Sequence, residues 1–417
     1  MLWSPKDDAL HAVSIEGTYC FIVGEHQCRI IPYYPLFITT REGCDAMQTP
    51  CYVIDLDRLK SNLLKIITLK TETSCSVFFA LKGFSTECVL PIVLQNLDGV
   101  SASGDFEARL GKEFNKMVST FSPAFSPNSF DSIAQNSDIV VFNSMDQYHR
   151  YSAIVYQHKH SCGIRINPEY SELPDEFGAN PCKPFSHMGI KKGNMPSLDY
   201  FGPGKIEGIH LHTMCGQDAD TLERTIDNLV QRYDTILGKV SWINLGGGQL
   251  YGDDDYDLER AIKCIRQLKD RYNASIMVEP CEGVLVNCGF LVTTVLDVVH
   301  NGKNIAILDS SAVCHLSDAV YRDWKREVLG GAEPGEYPYE FRLAGNSCYT
   351  GDIFGEYSFP DLLQRGDKIV FVDTATYSAV KACMFNGLPF PSVAVYDKKN
   401  GLQIKRKFDY DLFRQSL

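Results

Sequence analysis

VFFALKGF, residues 77–84, is a hydrophobic run that stops on a lysine and a glycine. Val77, Phe78, Phe79 and Ala80 show no polar alternation, the pattern of a strand buried on both faces in a parallel sheet. Lys82 falls where that strand ends. A lysine there either covers apolar surface with its stem and keeps its amine in water, or performs chemistry, and the run alone leaves both open. Outward from it, beginning at Asp55, helix-like and strand-like segments alternate in a steady rhythm. The strand-like ones are SVFFALK, DGVSAS, MVSTFSP, DIVVFNS, GIRINP, KIEGIHLHT, SWINLGG and SIMVEP, separated by amphipathic stretches such as DLDRLKSNLLKIITLK and DTLERTIDNLVQRYDTIL. Eight β/α units over roughly 230 residues predict an α/β fold built on a (β/α)8 TIM-type barrel.

Beyond about residue 290 the period shortens to two, in FLVTTVLDVVH, NIAILDSS, KIVFVDT and SVAVYD, with turns rich in Gly, Pro and Asp. These runs predict a second, mainly antiparallel β domain. The expected organisation is a β-rich extension over residues 1–48 packed with the β domain, a barrel over 49–288, and the β domain over 289–417.

The charge balance narrows the partners. A net charge of −12 would repel a phosphate backbone, so a nucleic-acid polymer is not expected. Fifteen cysteines without a CxxC pair fit reduced thiols better than a disulfide framework or a zinc knuckle. The opening MLWSPKDDALHAV lacks the apolar core of a signal peptide. GVLVNCGFLVTTVL, the longest uncharged apolar stretch, is shorter than the roughly 20 residues of a membrane span. The expectation is a cytoplasmic protein without membrane association.

In a β/α barrel the working residues lie at the C-terminal ends of the strands. Lys82 ends the first strand, Ser101 and Ser103 the second, Arg165 and Asn167 the fifth, His210 and His212 the sixth, Gly246, Gly247 and Gly248 the seventh, and Glu279 the eighth. The glycines of NLGGGQ suit backbone amides crowding around an anion, or simply a tight turn. The histidine pair points to one face, but no third ligand completes a metal set, and no metal is expected. An amine at a barrel mouth, a phosphate cradle and a buried carboxylate are together what pyridoxal 5'-phosphate requires.

The motifs TPCYVIDLDRL, FFALKGF, LDGVSAS-x3-EARLG, NPEYSE, HLHTMC, NLGGG, EPCE, LDSSAVCH, CYTGD and FNGLPFPSV, in this order over residues 49–393, resemble the carboxynorspermidine/carboxyspermidine decarboxylase family. That family is a branch of the fold-type III pyridoxal-phosphate decarboxylases, alanine racemase-like in fold and related to ornithine and diaminopimelate decarboxylases. The resemblance implies that Lys82 holds the cofactor covalently and that His212 stacks on its ring. It further implies Gly246, Gly247, Gly248 and Tyr377 at the phosphate and Glu279 at the pyridine nitrogen. Cys348 would supply a proton to the cofactor site of the opposite subunit of a head-to-tail homodimer, with Asp352 beside it. Asp318 would meet the distal end of the substrate, and Arg165 is a further substrate-binding candidate. The chain departs from the family pattern at Asn346 and Ser347, where proline and threonine are usual, and at Cys281, where glycine is usual. The implied reaction is removal of the α-carboxylate from a 3-amino-3-carboxypropyl group, leaving an aminopropyl group, with carboxynorspermidine or carboxyspermidine as substrate. Two alternatives stay open: the same group on a non-polyamine, such as a microcin C-type peptide–nucleotide precursor, and a non-catalytic binding protein of the same fold.

Overall fold

The computed structural model describes residues 12–15, 18–22, 28–30, 47–176, 178–321 and 324–417. It forms two compact units, one of residues up to Asp57 together with Cys288–Leu417, the other Arg58–Asn287. Near the N-terminus, β1 (Ala12–Ile15), β2 (Thr18–Ile22) and β3 (Cys28–Ile30) pair in that order as an antiparallel sheet. The expected packing of this extension on the β domain lies outside the described residues.

Cys51–Asp55 forms β4, whose five residues are all buried. The sequence boundary at residue 49 assigns it to the barrel. Its pairing corrects that: β4 belongs to the large sheet described below.

The barrel strands are β5 (Ser76–Ala80), β6 (Gly99–Ala102), β7 (Met117–Phe121), β8 (Ile139–Phe142) and β9 (Ser161–Asn167). They continue, after a two-residue β10 (Ile190–Lys191) that pairs with the C-terminal end of β9, with β11 (Ile206–His210), β12 (Trp242–Asn244) and β13 (Ser275–Val278). Each of the eight coincides with a run expected from sequence. All pair in parallel, and Val278 beside Val77 and Phe142 beside Ile164 close the ring. The helices between them follow the apolar stripe of the 3.6 period. Ala219–Leu237 starts on the Asp218 side chain, which accepts the Thr221 N–H (2.9 Å), and buries Leu222, Ile226, Leu229, Tyr233 and Leu237. Leu258–Tyr272 is capped likewise by Asp257 and stops at Asn273 in the left-handed region (φ +49°).

Inside the ring Phe78, Ile139, Val141, Trp242 and Met277 form one apolar cluster. Trp242 fits because its neighbours on β9 and β11 are glycines: a Cβ on Gly163 or Gly208 would lie 2.2 or 1.9 Å from its indole. The indole N–H donates to Ser161 Oγ (2.9 Å). The barrel is therefore plugged by side chains, and polar residues collect at the strand C-termini beyond the plug.

The second unit holds β14 (Gly289–His300), β15 (Asn304–Leu308), β16 (Tyr339–Ala344), β17 (Ile353–Phe359), β18 (Lys368–Val372), β19 (Ser392–Asp397) and β20 (Gly401–Arg406). The sheet runs β17-β16-β15-β14-β4-β19-β20, with β18 also on β14. Most pairs are antiparallel, as the period-two runs suggest, but β15–β16 and β19–β4 are parallel, so the sheet is mixed. Local alternation determines which residues share a face, not the direction of the neighbour. Among the described residues no helix is long and apolar enough to cross a membrane.

Candidate active site

Lys82 follows β5 directly, in a turn closed by Gly83 N–H to Ala80 O (3.3 Å) and tied to β6 by Leu81 N–H to Ser101 O (3.1 Å). The side chain is exposed at the end of β5, with barrel atoms close around its amine. That crowding lowers its amine pKa below the ordinary lysine value, and the Arg165 cation adds to the effect against the pull of Glu279. A neutral amine is a nucleophile; an ammonium is not.

Glu279 ends β13 with 8% of its surface exposed. Its Oε1 accepts from Asn244 Nδ2 (2.8 Å), and its Oε2 lies 3.5 Å from His210 Nε2. Burial alone would push the carboxyl up; His210, Asn244 and Lys82 outweigh it and hold the group ionised, below the usual carboxylate range. Burial lowers the pKa of His210, 3% exposed, against the pull of Glu279. Asn244 was not singled out from sequence, although it opens the NLGGG motif two residues before Gly246. Its Oδ1 accepts the Gly246 N–H (2.9 Å), so one amide side chain joins the carboxylate to the turn.

Gly246, Gly247 and Gly248 are glycines for steric reasons. Gly246 and Gly248 have φ of +69° and +95°, and a Cβ on Gly248 would lie 2.0 Å from Met214 O. A Cβ on Gly247 would lie 2.2 Å from Glu279 O. The segment after β11 thus presses against the turn, and His212 Nδ1 accepts the Gly247 N–H (3.1 Å). That bond leaves the His212 proton on Nε2. Burial, then the Lys82 and Arg165 cations, keep the ring neutral well below its ordinary pKa. Gly247→Ala should therefore weaken pyridoxal-phosphate binding and lower stability by ~1–3 kcal/mol, the range of overpacking. Cofactor titration and thermal melting measure both, and an unchanged Kd would mean that the turn does not shape the phosphate site.

Arg165 is buried between Phe121, whose ring centre lies 4.5 Å from Cζ, and the His212 carbonyl, which accepts from Nη2 (3.2 Å). Burial lowers its pKa to about 10. Its guanidinium is engaged in placing the segment that carries His212. Glu107, also unmarked by sequence reasoning although it lies in the EARLG motif, accepts the Ser103 N–H (2.6 Å) and adds a negative charge to the surroundings of Lys82.

Four expected site residues belong to the sheet unit. Asp318, 5% exposed, is paired with Lys381 (2.6 Å), and Lys381 Nζ lies 5.0 Å from the centre of the Tyr377 ring. Asp352, 2% exposed, accepts backbone N–H groups of Val313 and Ser347 (both 3.1 Å). It thereby fastens the loop bearing Cys348, whose exposed side chain accompanies an N–H donated to Asn386 Oδ1 (2.7 Å). Beside Asp352 lies His315, 1% exposed, with Nδ1 accepting the Ser311 N–H (3.1 Å). Burial lowers its pKa to about 4 against the pull of Asp352 and Asp309. The unfolded chain, with an ordinary His value near 6.5, binds the extra proton first. Stability present above pH ~6.5 is therefore lost as pH falls towards ~4, by up to ~3 kcal/mol. Denaturant unfolding at both ends of that window measures it; the difference should shrink in His315→Gln, and an unchanged difference would place the acid sensitivity elsewhere.

Residues 51–375 match the family model described as pyridoxal-dependent decarboxylase, C-terminal sheet domain. The chain belongs to the pyridoxal-dependent decarboxylases. This decarboxylase is 35% identical to carboxynorspermidine/carboxyspermidine decarboxylase of Campylobacter jejuni, over 88% of its own length and 97% of the relative's. It is 32% identical to carboxyaminopropylagmatine decarboxylase of Synechocystis sp., over 89% and 96%. A crystal structure of the Campylobacter jejuni carboxynorspermidine decarboxylase complexed with norspermidine superposes with a TM-score of 0.80, at 33% identity, covering 89% of this chain and 100% of that one. Diaminopimelate decarboxylase from Helicobacter pylori shares the fold, at a TM-score of 0.76 and 18% identity.

The enzyme is a pyridoxal-phosphate-dependent decarboxylase, and its barrel mouth fits that cofactor. Gly246–Gly248 form a turn with no side chains of their own, packed so closely against Leu211 O, Met214 O and Glu279 O that no Cβ is admitted. Lys82 supplies an amine of lowered pKa, and Glu279 supplies a buried carboxylate already oriented by Asn244.

Proposed function

We propose that this decarboxylase removes the α-carboxylate of a 3-amino-3-carboxypropyl amine in polyamine synthesis, with carboxynorspermidine or carboxyspermidine as substrate. The observation that supports this reading is the similarity, at 30–35% identity across 88–89% of the chain, to relatives whose names share that carboxylated aminopropyl unit. Pyridoxal phosphate supplies an electron sink for the bond that breaks at Cα. The protein's own residues do the rest. Lys82, whose amine pKa is lowered, would hold the cofactor covalently. Glu279 holds a proton at the pyridine nitrogen, where a carboxylate favours the cation. His212, neutral and fixed through Nδ1, offers a flat face to the ring. Tyr377 helps to hold the phosphate. Asp318 meets the distal ammonium of the substrate, which must share or displace the bond to Lys381.

The test is carbon dioxide release from carboxynorspermidine, carboxyspermidine, carboxyaminopropylagmatine and a carboxypropylated nucleotide. The first two should exceed the others in kcat/KM by at least about tenfold, worth ~1.4 kcal/mol of transition-state binding. Preference for the nucleotide would transfer the reaction to antibiotic maturation.

Cys348 is proposed to deliver the proton to Cα in the opposite subunit of a homodimer. Lys82→Ala and Cys348→Ala should each be inactive, and mixing them should restore activity, because one heterodimeric site is then intact. Subunit exchange without recovered activity would count against a shared site.

A further inference from the structure

Cys314 and Cys383 meet within the sheet unit. Cys314 lies in the short helix Ala312–His315 and is fully buried; Cys383, between the turns Ala379–Lys381 and Phe385–Gly387, is exposed. The Cys383 N–H donates to the Cys314 carbonyl (3.1 Å), which holds the two residues side by side. A direct backbone hydrogen bond holds two Cα atoms within roughly 5–6.5 Å, inside the roughly 4.4–6.8 Å that a disulfide spans. The decarboxylation assigns no role to either thiol.

We propose that Cys314 and Cys383 are a reversible disulfide-forming site that reacts with low-molecular-weight disulfides of the glutathione type. The exposed Cys383 thiolate attacks one sulfur of oxidised glutathione, whose S–S bond breaks as the mixed disulfide forms and one glutathione thiolate leaves. Cys314 gives its proton to solvent and attacks the Cys383 sulfur, forming the protein disulfide and expelling the second glutathione thiolate. Two protein thiols are oxidised and one glutathione disulfide is reduced. Burial pushes the Cys314 thiol up to about 11, which makes it the resolving rather than the attacking group.

The site is connected to the loop of Cys348. Cys314 Sγ lies 3.8 Å from Phe385 O, and the next residue, Asn386, accepts the Cys348 N–H. Asn386 sits in the left-handed region (φ +57°), so this turn has little freedom to absorb a displaced sulfur. Closing the disulfide turns Cys314 Sγ away from Phe385 O and draws on the turn that fixes Cys348.

The experiment equilibrates the intact holoenzyme in glutathione buffers of rising oxidised fraction, traps remaining thiols by alkylation, and maps peptides without reduction. The expected product is a Cys314–Cys383 linked peptide carrying no glutathione, with two of the fifteen thiols lost and regained on reduction. Cys383→Ser should give no linked peptide and leave Cys314 alkylatable after unfolding. A stable glutathione adduct on Cys383 with Cys314 still a thiol, or Cys383 linked to Cys348 instead, would overturn the assignment.

Discussion

Lys82→Ala should abolish decarboxylation, with turnover falling by more than about a thousandfold, or ~4 kcal/mol of barrier. The side chain leaves the end of β5 where its amine pKa is lowered, and the neighbouring cation Arg165 is committed to the His212 carbonyl and the Phe121 ring. No guanidinium can replace an amine in forming a covalent bond to an aldehyde. Borohydride should trap the cofactor on the wild-type enzyme at Lys82 alone, and the variant should lose covalent cofactor while keeping its fold by circular dichroism. Reduced cofactor on another lysine would sink the assignment, as would a variant within about tenfold of wild type.

Glu279→Gln should cost at least about tenfold in kcat, ~1.4 kcal/mol, while cofactor still binds. The substitution is nearly isosteric, and the Asn244 amide can still donate to the Gln oxygen. What disappears is the charge: a neutral amide does not favour a protonated pyridine nitrogen as a buried carboxylate does. The absorbance of the bound cofactor reports that ring protonation independently of turnover. A variant with unchanged spectrum and rate would mean that another group faces the nitrogen.

The eight barrel strands were legible because a strand buried on both faces must be apolar throughout, and each such run is bounded by an amphipathic helix. Lys82, His212 and Glu279 were legible through their position, since a parallel barrel gathers its strand C-termini at one end. β4 was not. CYVID reads as a buried strand in any sheet, and only its register between β14 and β19 shows which one it joins.

Asn244 and Glu107 were missed for a related reason: a polar residue at a strand or helix end has many uses. Asn244 became significant only once β12 and β13 placed its amide against the Glu279 carboxylate, and Glu107 only once its helix brought it towards Lys82.

The same limit applies to the carboxylates of the sheet unit. Asp318 and Asp352 look alike in sequence, yet one is bound to the Lys381 ammonium and the other to two backbone amides. By itself the sequence determined the barrel, the place of Lys82 at a strand end and the triple glycine, because these follow from periodicity, strand-end position and steric demands carried by single residues. Tertiary structure alone decided which charges are neutralised, which ring nitrogen keeps its proton and which thiols adjoin. Those properties depend on distances of a few ångströms between residues far apart in the chain, and Coulomb and hydrogen-bond energies change steeply over that range.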